Sequence, residues 1–141
     1  MRIVRKVVGQ ISELRPETPV VLKSTVPPGT TEDLARQWPS VPLVFCPEFL
    51  RERYYREDSQ SPVRVVLGWS RSIGEDHRAI VREVFARRFA NVPLVELSSV
   101  NAKLLKYAEN ALFGVKVSFA NEMVELAKRP GRVGRMYARR W

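Results

Sequence analysis

Cysteine and histidine are almost absent from this 141-residue chain, which holds one of each, Cys46 and His77. A single thiol excludes an internal disulfide, and one thiol with one imidazole excludes a cysteine-rich metal site. No metal site is therefore expected, and the chain fits a reducing cytoplasm. Long apolar runs are also lacking. Met1 to Gly9 carries Arg2, Arg5 and Lys6, so the start of the chain reads as neither a signal peptide nor a membrane span. A cytoplasmic location is the expectation. No Gly-x-Gly-x-x-Gly and no phosphate loop occurs anywhere, so the chain shows no pyrophosphate-binding turn of its own. Internal repeats and low-complexity stretches are missing too.

What is present is the balance of a folded protein: 45% hydrophobic and 28% charged residues. The formal charge of +9 would attract phosphates or nucleic acid. Much of that excess belongs to the end of the chain, where Lys128, Arg129, Arg132, Arg135, Arg139 and Arg140 crowd together. The aromatic residues form no obvious stacking platform, so nucleic acid is not the expected partner.

Ile3, Val4, Val7, Val8, Ile11 and Leu14 recur at helical spacing before Pro16 and Pro19, which predicts an amphipathic helix over 3–14. Residues 19–26 read as a strand covered on both faces and ended by Pro27-Pro28-Gly29, with Thr30 or Thr31 capping a helix to about Trp38. Further strands are expected over 41–45, 63–67 and 93–97, with Gly68 breaking the third. The stretch from Arg51 to Pro62 reads as a loop, and 75–89 as a helix with Ile80, Val81, Val84 and Phe85 on one face. From Ser99 to about Lys128 runs one long helix, on the order of 40 Å at 1.5 Å per residue. This alternation predicts an α/β fold, a partial Rossmann-like doubly wound sheet followed by a long α-helix, with ligands at the carboxyl ends of the strands.

Polar residues at strand ends are the candidates for chemistry. Ser24 and Thr25 follow the first strand, where Thr25 suits a hydrogen bond to a cofactor or a water, although spacing alone favours a turn bond before two prolines. Glu48 and Glu52 lie four apart and would share a face if Pro47 opened a helical turn, as a water-positioning pair or as surface acids beside Arg51 and Arg53. Lys106 and Asn110, also four apart, project from one face of the long helix, either to stabilise a developing oxyanion or as solvated surface. Asn121, Glu122 and Lys116 read as a polar seam between helices. Cys46 reads as a small core residue rather than a nucleophile, since only His77 is on hand as a base.

Four segments in order, Lys23-Ser-Thr-Val-Pro-Pro-Gly-Thr-Thr31, Cys46-Pro-Glu-Phe-Leu-Arg-Glu52, Arg64-Val-Val-Leu-Gly68 and Lys106-Tyr-Ala-Glu-Asn110 through Glu122, resemble the UDP-glucose/GDP-mannose dehydrogenase family over about residues 1–127. The resemblance implies an NAD-dependent nucleotide-sugar 6-dehydrogenase, oxidising a sugar alcohol to a carboxylate in two steps through a thioester. It implies catalytic roles for Thr25, Glu52, Lys106 and Asn110, and cofactor contacts by Ser24, Thr25 and Glu48. It also implies a nucleotide sugar as substrate, UDP-glucose being the commonest, and a homodimer built on the long helix. The implied parts are the second half of an NAD-binding domain over 1–98, a dimerisation helix over 99–128 and a basic tail over 129–141. The family's glycine-rich turn and its nucleophilic cysteine segment have no counterpart here, Val63 stands before Arg64 in place of a frequent acid, and Lys103 falls where an acid is common. A truncated form with weak or no activity alone is the expectation, and a non-catalytic association module derived from the family is the alternative.

Overall fold

In the computed structural model, residues 1–128 are described, apart from the side chain of Glu52. The expected basic tail over 129–141 lies outside the described residues. The first helix, α1, spans Arg2–Leu14 and is followed by strand β1 (Val20–Leu22) and helix α2 (Thr30–Gln37). Strand β2 (Leu43–Phe45) leads to a 3-10 turn at Glu52–Tyr54 and a short helix α3 (Tyr55–Gln60). Strand β3 (Val65–Trp69), helix α4 (Glu75–Arg88), strand β4 (Leu94–Ser98) and helix α5 (Ser99–Ala127) complete the order. The chain divides into two compact units, Met1–Lys106 and a second beginning at Tyr107.

The sheet runs β1-β2-β3-β4. β1 pairs with β2, and β3 with β4, in parallel, whereas β2 and β3 are antiparallel, with Val44 opposite Trp69 and Phe45 opposite Gly68. A parallel return needs a long crossover, usually a helix that recrosses the sheet. The link over 46–64 contains only the 3-10 turn and the six-residue α3, so the chain re-enters from the end at which it left.

Alternation along the strands fills two cores. Leu22, Leu43, Phe45 and Val66 point to one face, with Val8 of α1, Leu34 and Ala35 of α2 and Ala102 of α5. Val44, Val65, Leu67 and Trp69 point to the other, where Val81 of α4 closes on them and Phe85 packs alongside. The α/β expectation of helices on both faces of a mostly parallel sheet therefore holds.

Several local expectations need correction. Gly68 lies inside β3 and does not end it: a Cβ there would come 2.6 Å from the Ala102 Cβ and 3.1 Å from the Phe45 carbonyl oxygen, so glycine lets α5 lie directly on the strand. Thr30 and Thr31 are buried within α2, and the cap position is taken by Gly29 at φ 83°. Ile80 and Val84 are exposed, because Val81 and Phe85, four apart, form the contact stripe of α4. Ile3, Val7 and Leu14 of α1 are likewise exposed, and Val8 alone is fully buried. The expected loop after Arg51 contains the 3-10 turn and α3, held by Arg51, whose backbone and guanidinium groups all donate to Asp58.

The start of α5 is anchored twice over. The Ser98 hydroxyl accepts the Asn101 amide at 3.2 Å, and the Ser99 hydroxyl donates to Glu32 of α2 at 2.6 Å. Within the second unit, residues 107–127 are helical, and Leu112, Phe113, Val115, Val117 and Phe119 are exposed. Among the described residues, no helix is long and apolar enough to cross a membrane, and no group of three or more acidic, histidine or cysteine side chains has metal-holding geometry.

Candidate functional site

The carboxyl ends of β1 and β2 lie side by side, since Leu22 is opposite Phe45. Each chain leaves its strand with polar residues: Lys23, Ser24 and Thr25 after β1, and Glu48 after β2, all exposed. Lys23 and Glu48 meet across the gap in an ion pair of 2.6 Å. Both partners are about half exposed, so the pair contributes at most about 1 kcal/mol to stability and serves mainly to orient the two side chains.

α5 delivers the cations. It starts beside the carboxyl end of β4 and, because β3 and β4 oppose β2, runs back over the sheet towards the carboxyl end of β2. One turn in, the Lys103 Nζ lies 4.0 Å from the centre of the Phe45 ring; the next turn brings the Lys106 Nζ to 5.1 Å from the Phe49 ring. Arg64, entering β3 from the same end, places its Cζ 4.6 Å from that same Phe49 ring. A cation over an aromatic face is attracted by the ring quadrupole, by up to about 2 kcal/mol once desolvated. Lys103 is 97% buried in the sense that only 3% of its surface remains exposed. Burial pushes its ammonium pKa down, and the neighbouring Lys106 charge adds to the fall.

The expected residues fall into three groups. Ser24, Thr25, Glu48 and Lys106 are brought to one end of the sheet by β1, β2 and α5. Glu52 opens the 3-10 turn; since residues 46–51 are not helical, Pro47 starts no helical turn and the four-residue spacing does not place Glu48 and Glu52 on one helical face. Asn110 follows Lys106 by four residues on α5 but falls in the second unit, where it is exposed. Cys46 is 5% exposed and its thiol is pushed up to about 11, by burial first, with Lys23 opposing and Glu48 reinforcing the shift. That is an inert core thiol, as the sequence reading favoured.

Sequence reasoning missed the aromatic floor. Phe45 and Phe49 flank the Cys-Pro-Glu segment, and Arg64, Lys103 and Lys106 come from distant parts of the chain to lie on them. A signal existed in the two phenylalanines four apart around the strand end, but the lysines of α5 give no hint of which rings they cover.

Comparison with known proteins extends this picture. The profile of the UDP-glucose/GDP-mannose dehydrogenase family, NAD binding domain, matches residues 1–89. A UDP-glucose 6-dehydrogenase of Rhizobium meliloti is 38% identical over 121 residues, which is 81% of this chain and 28% of that protein. The structure of a UDP-glucose dehydrogenase from Pyrobaculum islandicum superposes with a TM-score of 0.66 at 37% identity, over 80% of this chain and 27% of that one. A ternary complex of GDP-mannose dehydrogenase from Pseudomonas aeruginosa gives a TM-score of 0.68 at 26% identity, over 86% and 29% of the two chains. The chain thus spans less than a third of the length of these relatives.

Proposed function

Because the chain belongs to the UDP-glucose/GDP-mannose dehydrogenase family, we propose that it carries part of the site of an NAD-dependent nucleotide-sugar 6-dehydrogenase and turns over weakly or not at all by itself. Residues 1–98 are the second half of the NAD-binding domain in this reading, and 99–128 the dimerisation helix. The observation that carries it is the convergence of Lys106, Thr25 and the Lys23–Glu48 pair at the carboxyl ends of adjacent parallel strands, where α/β sheets bind their ligands.

The residues fit one end of NAD. Ser24, Thr25 and the carboxylate of Glu48 offer exposed hydrogen-bonding groups for its reactive end, while no glycine-rich turn is on hand for the pyrophosphate. NAD, when bound, supplies the hydride acceptor. Lys106 would hold its ammonium towards the sugar oxygen that becomes negative as the hydride leaves, and the resemblance gives Asn110 the role of an amide donor in the same reaction. Glu52 positions water for hydrolysis. The thiol required to hold an aldehyde covalently is not supplied by Cys46, whose burial keeps it protonated.

The test is NADH formation by the purified chain with UDP-glucose, GDP-mannose and a UDP-N-acetylhexosamine, followed by absorbance. Rates near those of complete dehydrogenases would overturn the reading of weak turnover. A second reading, a non-catalytic association module, is favoured by the exposed Leu112, Phe113, Val117 and Phe119 of α5. Sedimentation should then show a concentration-dependent dimer, and a strict monomer at high concentration would remove this reading.

A further inference from the structure

We draw no further inference here: the strongest candidate, the open edge of β1 together with the exposed Ile3, Val7 and Leu14 of α1, offers backbone groups and apolar side chains to an added strand, but nothing in the structure shows what covers it.

Discussion

At Gly68 a single missing carbon sets the distance between helix and sheet. Restoring it as Gly68→Ala would drive a Cβ to 2.6 Å from the Ala102 Cβ, between backbone atoms that have no room to yield. The expected cost is about 1–3 kcal/mol, read as a lower denaturant midpoint, with part of the loss recovered by adding Ala102→Gly. The sequence alone marks Gly68 as a strand breaker, because glycine weakens a strand when nothing else acts on it; its role is visible only once Ala102, thirty-four residues on, lies against it. Cys46 is the opposite case, legible from its place after an apolar run. Its folded pKa is raised from 9.0 to about 11, so its contribution to stability is complete below pH 9 and is lost between pH 9 and 11, where the unfolded chain ionises first. A thiol reagent at pH 8 should leave the native chain unmodified and react at once in urea.

At the scale of elements, α3 depends on one ion pair more than on packing, since none of its residues is buried. Arg51 donates through its backbone and its guanidinium to Asp58, and those hydrogen bonds, the side-chain one foremost, hold the Asp58 carboxyl down at about 2. The stabilisation is present above the ordinary carboxylate value of 3.8 and disappears as pH falls through about 2. Asp58→Asn should therefore speed amide exchange over residues 51–60 and leave the sheet protected; equal protection in both chains would deny Asp58 this role. The sequence reads this stretch as a loop because it has polar residues without periodicity, and the hydrogen bonds that order it join residues seven apart. The other helices and all four strands were legible as apolar stripes or runs, some with a clear stop such as Pro16 or Pro27, although Gly68 gave the third strand a false one. Strand direction was not: the antiparallel β2–β3 pair follows from the shortness of α3, which hydrophobic pattern does not reveal.

For the molecule as a whole, β1 is an edge of the described sheet, a short Val-Val-Leu strand with pairing on one side. Together with the exposed apolar residues of α1 and of residues 107–124, this predicts association that strengthens with concentration. Phe113→Glu with Phe119→Glu should shift sedimentation towards the monomer without changing the far-ultraviolet spectrum; an unshifted profile would place the association elsewhere. The sequence shows the family and names six candidate residues, of which the structure brings Ser24, Thr25, Glu48 and Lys106 to one end of the sheet; the rings beneath them are not legible, because side chains that meet across a sheet leave no trace in spacing. The reversal between β2 and β3 has one further consequence. It puts the origin of α5 at the far end of the sheet from the residues it serves, so the helix acts as a ruler whose zero mark is the Ser99–Glu32 hydrogen bond. Each residue advances about 1.5 Å and turns about 100°. Inserting one alanine between Ala102 and Lys103 would therefore carry both lysines a quarter-turn off their rings, an error of phase and not of composition, and a further insertion of three would bring them nearly back into phase, one turn too far along.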